Sequence, residues 1–260
     1  MSAKDTDSLP QSAPALPGAH SLFSPESFLP ALTEALSGIA EPREIRARTV
    51  AILAQARSAA MGDIAAGFMS HPRAARETVR AIASLTDATV AAIHHVATTI
   101  LHPLLNPTDA ERLAVLAIGG YGRAEMAPHS DVDLLFLCPW KVTPWSENVT
   151  ETMLYILWDL KLKVGHAVRT VDDCLRLARE DMTIRTALLE HRFLTGDTGL
   201  ARDLHDRLRT ELLARSGPAF IEAKLAERAE RHRKQGGQRY VLEPNVKEGK
   251  GGLRDLQTLY

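Results

Sequence analysis

The run GGYGRAEMAPHSDVDLLFL, Gly119–Leu137, sets a glycine pair and two aspartates on either side of a ten-residue gap. Asp131 and Asp133 stand two residues apart at the start of an apolar stretch, Val132 and Leu134 to Leu137. In a strand, residues i and i+2 share a face, so both carboxylates point the same way. Carboxylates entering an apolar strand are costly unless paired or metal-bound. Magnesium is usually held by one or two carboxylates together with phosphate oxygens of the substrate. Gly119 and Gly120 end an apolar segment and precede a helical turn, where backbone N–H groups can receive phosphate. The combination describes a polyphosphate held by backbone and a divalent cation held by carboxylates. A two-metal arrangement of that kind orients an attacking hydroxyl and stabilises a pyrophosphate leaving group.

Each part has a plainer reading. A lone glycine pair is more often a tight strand-to-helix turn, and HSD before Val132 reads as an exposed turn capped by Ser130. Strand, glycine pair, fixed gap and D-x-D on a second strand is far more specific than either part. Two better-known phosphate motifs fail. GGYGRAEM lacks the third glycine of the dinucleotide fingerprint, and PNVKEGKGG has Pro244 and Gly251 where the Walker pattern needs Gly and Ser or Thr.

The elements that must position these residues follow from periodicity. Residues 1–20 are rich in Ser, Ala and Pro and read as a disordered tail. Residues 21–105 read as a helical extension, with Ser24 as a cap and Pro25 at the first helical position. Residues 106–195 read as an α/β core of α+β type built on a small mixed sheet. Its predicted strands are Leu113–Ile118, Asp131–Cys138 and Lys163–Thr170, with HRFLTG as a short fourth. WSENVTETMLYILWDLKLK is a helix between the second and third strands, and Asp172 and Asp173 open another. Residues 196–260 read as the start of a helical subdomain, with helices over Asp197–Leu213 and Pro218–Lys234. The pattern is still helical at Tyr260, which reads as a truncated chain.

Composition narrows the function classes. The chain has 260 residues, 45% hydrophobic and 24% charged, with a formal net charge of −1. That balance gives no global argument for nucleic acid or a membrane surface. Cys138 and Cys174 are the only cysteines, so a disulfide scaffold or cysteine zinc site is not expected and a reducing cytoplasm is. The longest stretch free of Asp, Glu, Lys and Arg, Ala88–Thr108, carries three histidines and two prolines, a poor membrane span. His94, His95 and His102 have no carboxylate or cysteine beside them and do not read as a metal site.

Strand–Gly-[Gly/Ser]–x–Asp–x–Asp resembles the signature of the polymerase-β-type nucleotidyltransferase superfamily. GGYGRAEMAPHSDVDLL looks like its protein-PII uridylyltransferase branch. LWDLKLKVGHAVRT (Leu157–Thr170) and LEPNVKEGKGGLRDLQTLY (Leu242–Tyr260) match further blocks in the same order. Ala124 departs from the family, which has glycine there. If Ala124 is helical, the departure costs little.

The resemblance implies transfer of UMP from UTP to a tyrosine of the PII signalling protein, with Mg2+. Asp131 and Asp133 would be the catalytic metal ligands. Gly119, Gly120, Arg123 and Ser130 would serve the nucleotide, and Lys247, Lys250 and Arg254 would form a basic loop over the triphosphate. Two alternatives stand beside it: an adenylyltransferase of the glutamine-synthetase type, and a non-catalytic fragment that binds nucleotide or PII. A third metal carboxylate, usual in the superfamily, has no clear place here. His166, Asp172 and Asp173 are nearby, but capping explains the aspartates better. Arg123 reads equally as a γ-phosphate ligand and as an ion-pair partner of Glu125 or the carboxylates. Glu222–Lys234 reads as a solvated, salt-bridged helix. The longer enzymes of this kind add a phosphohydrolase domain and two glutamine-sensing domains, for which 260 residues leave no room. Transfer without removal is therefore expected, weakened if the final ~20 residues are mobile.

Overall fold

The computed structural model describes residues 22–214, 217–234, 243 and 245–257. The predicted disordered tail, Leu259 and Tyr260 lie outside the described residues.

Three helices come first: α1 (Pro25–Leu36), α2 (Pro42–Ser70) and α3 (Ala75–His95), the last running on into a wider π-helical turn, Val96–Leu101. The core follows as β1 (Ala114–Ala117), α4 (Gly119–Gly122), β2 (Val132–Cys138), α5 (Pro144–Asp159), β3 (Val164–Thr170), α6 (Val171–Glu180), α7 (Met182–Leu189) and β4 (Arg192–Gly196). Then come α8 (Thr198–Arg207), which continues as a π-helical turn over Leu208–Leu213, α9 (Gly217–Lys234) and α10 (Leu253–Gln257). The fold is thus the expected mixed α/β one.

The four strands form one sheet in the order β3-β2-β1-β4. β1 is antiparallel to both β2 and β4, whereas β2 and β3 are parallel. A parallel pair needs a crossover, and α5 supplies it. Thr143 starts α5 with a capping box shared with Ser146.

All four residues of β1 are buried, as are all of β2 except Asp133. A strand covered on both faces reads as a continuous apolar run, which is why AVLA and LLFLC carry no alternation. Val115, Ala117, Val132, Leu134 and Phe136 face the core shared with α1, α2, α3 and α5. Ala114, Leu116, Leu135 and Leu137 face a second core with α6 and α8. Asp133 lies on that second face, at the end where helical cover stops.

Two local expectations change. Ser24 makes no side-chain cap; instead the Ser27 hydroxyl donates to the Ser24 carbonyl at 3.0 Å. The N-terminal cap of α6 is Thr170, whose hydroxyl accepts from the Asp173 N–H at 3.1 Å and donates to the Asp173 carboxylate at 2.8 Å. That occupies Asp173 in capping, while Asp172 pairs with Arg207.

The three histidines of the α3 region tie layers together. His94 Nδ1 meets the Thr195 hydroxyl at 3.2 Å, His95 Nε2 meets that of Thr33 at 2.9 Å, and His102 Nε2 meets that of Thr152 at 2.8 Å. Burial, with the neighbouring His95, lowers the His94 pKa to about 4. A folded pKa below the unfolded one means that the unfolded chain binds the extra proton first. Stability from neutral His94 is therefore complete above about pH 6.5 and is lost as pH falls toward 4, a swing of about 3 kcal/mol. We expect His94→Gln to flatten the acid limb of the melting temperature between pH 6.5 and 4, measured by calorimetry against the parent chain.

Candidate active site

β1 ends at Ala117 and the chain turns at once into the single helical turn of α4. Gly119 begins that turn with φ +60°, a left-handed conformation that a side chain disfavours. The Gly122 N–H donates to Ile118 and that of Arg123 to Gly119, both at 3.1 Å. The first amides of a helical turn, here those of Gly119, Gly120 and Tyr121, have no acceptor within it. The turn is pressed against the sheet: a Cβ at Gly122 would collide with the Glu190 carbonyl.

Asp133 lies directly beside this turn. Its carbonyl accepts from the Ile118 N–H at 3.0 Å, and a Cβ on Gly119 would stand 3.6 Å from its Oδ2. Its other oxygen, Oδ1, points over Gly165 of β3, the residue registered opposite it. A Cβ at Gly165 would collide with that oxygen. Both oxygens of Asp133 are thus bordered by glycine. Burial and the like charge of Asp131 push the Asp133 carboxyl upward, and Lys247 opposes that rise. A half-buried carboxylate with a second one beside it, raised for those reasons, is an environment that a cation relieves.

The predicted residues divide. Gly119, Gly120, Asp131 and Asp133 come together at one end of the sheet, and Lys247 acts on Asp133 electrostatically. Ser130 holds the approach to the strand, its hydroxyl accepting from the Ala127 N–H at 2.9 Å. Arg123, left open between phosphate and ion pair, is paired with Glu190 at 2.7 Å and Glu125 at 3.0 Å. Arg254 pairs with Glu248 at 2.8 Å. Lys250 lies in the same hydrogen-bonded loop, where the Asn245 side chain accepts from the amides of Lys247 and Glu248. Asp255 anchors this loop on α9 through Arg231 and His232. Leu253 and Leu256 of α10 are each 51% exposed. Ala124 is not helical: its φ is +58°, at a cost of about 1 kcal/mol for a residue with a side chain.

Several residues escaped the sequence reading. Arg192 of β4 forms a bidentate pair with Asp87 of α3 at 2.7 and 3.0 Å. It also donates to the carbonyls of Gly122 and Tyr121 at 3.2 Å and lies over the Tyr121 ring. One guanidinium therefore ties the helical layer, the edge strand and the glycine turn. Tyr121 is buried beneath it; burial first and Asp87 second push its phenol well above the ordinary value. Gly165 was invisible because only pairing brings it beside Asp133. Among the described residues no third carboxylate, histidine or cysteine joins the pair.

Two predictions follow from this geometry. Asp133→Asn removes a charge that the fold already penalises, so the melting temperature should hold or rise while transfer falls by about 10²-fold or more. Turnover and calorimetry on one preparation check both. Gly120 has room for a methyl group, which would meet Arg123 at 3.6 Å and Glu125 at 3.8 Å. Gly120→Ala should therefore leave the melting temperature unchanged and weaken nucleotide binding by about tenfold in titration calorimetry, since the methyl occupies the space above the turn.

Comparison with known proteins gives the family. Residues 219–260 match the family described as GlnD PII-uridylyltransferase. Residues 10–157 match the related family described as glutamate-ammonia ligase adenylyltransferase. The chain is 63% identical over 224 residues to a bifunctional uridylyltransferase/uridylyl-removing enzyme of Cereibacter sphaeroides, covering 86% of this chain and 24% of that one. It is 58% identical over 239 residues to the enzyme of the same name from Ruegeria pomeroyi, covering 92% of this chain and 26% of that one. The chain thus spans about a quarter of the length of these curated relatives. At 58–63% identity over 86–92% of its length, the chain belongs to the uridylyltransferase/uridylyl-removing enzyme family of nucleotidyltransferases.

Proposed function

We propose that this chain carries out uridylyl transfer: UMP passes from UTP to a tyrosine hydroxyl of the PII signalling protein, with Mg2+, and pyrophosphate is released. The observation that carries the reading is the meeting of Asp131 and Asp133 with the glycine turn, whose Gly119, Gly120 and Tyr121 amides have no acceptor within it, at one end of the sheet. The phenolic oxygen forms a bond to the α-phosphorus. The bond from that phosphorus to the oxygen bridging the α and β positions breaks, pyrophosphate leaves with the electron pair, and the phenolic proton passes to solvent.

Asp131 and Asp133 fit a magnesium site, since two carboxylates leave room for phosphate oxygens in the coordination shell. The chemistry supplied by Mg2+ bound there is neutralisation of the triphosphate charge and orientation of the attacking hydroxyl. The amides of Gly119, Gly120 and Tyr121 orient the triphosphate, and Lys247 adds positive charge on the side facing Asp133. Lys250 and Arg254 extend that positive loop. Arg123, held by two glutamates, braces the turn that Ser130 closes further along. Cys138 and Cys174 are free and buried, in keeping with a cytoplasmic reaction. Among the described residues no helix is long and apolar enough to cross a membrane.

A second reading has its own support. The adenylyltransferase family matches more than half of the chain, and no described residue reads a base. Labelled UTP, Mg2+ and PII protein incubated with the purified chain separate the possibilities. We expect label on PII, chased by excess UTP and not by ATP. Label from ATP on glutamine synthetase in a parallel reaction would support adenylyl transfer. Nucleotide binding without turnover would mark a non-catalytic fragment.

A further inference from the structure

The sheet has an open edge beside the reaction centre. β3 pairs with β2 on one side and, among the described residues, with no strand on the other. The Val132 N–H donates to the Lys163 carbonyl at 2.8 Å, and Val132 is registered opposite Val164. In a parallel ladder this turns the backbone groups of Gly165 and Ala167 toward β2 and those of Val164, His166 and Val168 outward. None of these outward groups has a hydrogen-bond partner among the described residues. Unpaired edges of this kind are templates for another strand, and VGHAVRT contains no proline to blunt it.

An exposed row of rings borders the same edge. His166 meets Trp158 edge-on at 6.3 Å, and Trp158 meets Tyr155 at 5.7 Å. Arg46 lies over the Tyr155 ring at 5.4 Å. Trp158 is 44% exposed and Tyr155 48%, much apolar area for side chains that close no core.

We propose that β3 is the docking edge for the protein acceptor. An extended acceptor segment adds to it as a fifth strand, and the hydroxyl-bearing side chain crosses Gly165 to reach Asp133. The inference rests on the uridylyl-transfer reading above and adds how the acceptor is held. Two strand spacings, about 9.5 Å, separate an added strand from β2. Serine and threonine hydroxyls stand one bond beyond Cβ and stop far short. A tyrosine hydroxyl at the far end of its ring closes most of that distance, and the carboxylate of Asp133 closes the rest. The spacing of the sheet is thus a ruler for tyrosine.

Gly165 keeps this route open. It shares a face with Asp133 in direct register, and a side chain there would collide with Asp133 Oδ1. The two carboxylate oxygens consequently look two ways, Oδ2 toward the Gly119 turn and Oδ1 toward β3. Nucleotide from one side and acceptor from the other is the arrangement that in-line displacement requires. The opposite edge cannot serve, because β1 lies between β4 and β2. Alternate side chains of the added strand fall on the other face, against Trp158 and His166, which gives the docking its apolar contact.

Amide hydrogen exchange on the chain, alone and with saturating PII, tests this directly. Exchange at Val164, His166 and Val168 should slow by about tenfold or more, by the protection that added strand bonds give. His166→Pro removes one outward N–H and no ladder bond, so the sheet should form. Its kcat/KM for PII should fall by about tenfold while UTP affinity in calorimetry is unchanged, and His166→Ala should lose less. Unchanged exchange along β3 at saturating acceptor would overturn the proposal, as would a folded His166→Pro chain with full transfer. Should the proline variant fail to fold, the exchange result on the parent chain decides alone. Protection of β3 without any label transfer would support the docking edge and remove only the transfer reading.

Discussion

A single charge placed at the mouth of an apolar strand constrains everything around it. Asp133 is the second residue of a strand whose other residues are buried, so its carboxylate is half out of water yet must remain reachable. Glycine on both flanks resolves this. Gly119 leaves one oxygen open toward the turn and Gly165 leaves the other open toward the edge of the sheet. The left-handed backbone at Gly119 and the unoccupied Cβ position at Gly165 have the same consequence by different means. Asp131 adds a second negative charge that raises Asp133 further, and Lys247 partly compensates. Such a site is less stable than a satisfied one, and the difference is what a cation and a triphosphate can relieve.

Holding the glycine turn in place is a separate task, done by residues far from it in sequence. Arg192 bonds Asp87 with both ends of its fork and two carbonyls of the turn with the same group. The planar guanidinium suits this, since its donors are fixed relative to one another. Gly122 lets the turn settle onto the Glu190 backbone, and the Glu190 side chain in turn holds Arg123. The helical layer is therefore part of the site's construction: α3 contributes Asp87, and the glycine turn rests on it. The tail is held by another group of charges, with Asp255 between Arg231 and His232, and this brings the loop carrying Lys247 to where it acts on Asp133.

Much of this was legible in the chain before any coordinates. Continuous apolar runs mark AVLA and LLFLC as strands buried on both faces, and the period-2 rule puts Asp131 and Asp133 on one side. The glycine pair, the gap and the further blocks carry the resemblance to the family that the relatives bear out. The strand order, the antiparallel β4 and the second apolar core carry no comparable local signal. Ser24 does hold the cap position before Pro25, but without a side-chain bond, and Ala124 takes the left-handed C′ position of a Schellman turn, its N–H bonding the Tyr121 carbonyl while that of Glu125 bonds Gly120.

What the sequence determines by itself is therefore the local chemistry: which residues are acidic, where backbone is bare, and which segments must be buried. Local spacing sets those, since they depend on neighbours within a few positions. Tertiary structure alone decides which distant residues share the space around Asp133. Gly165 faces it only because β2 and β3 pair in one register out of several, and a slip of one residue would turn His166 toward it instead. Arg192 reaches Asp87 across 105 positions of chain, a separation at which no periodicity carries information. Those contacts are selected by the simultaneous burial of both sheet faces, a condition that only the assembled chain can satisfy.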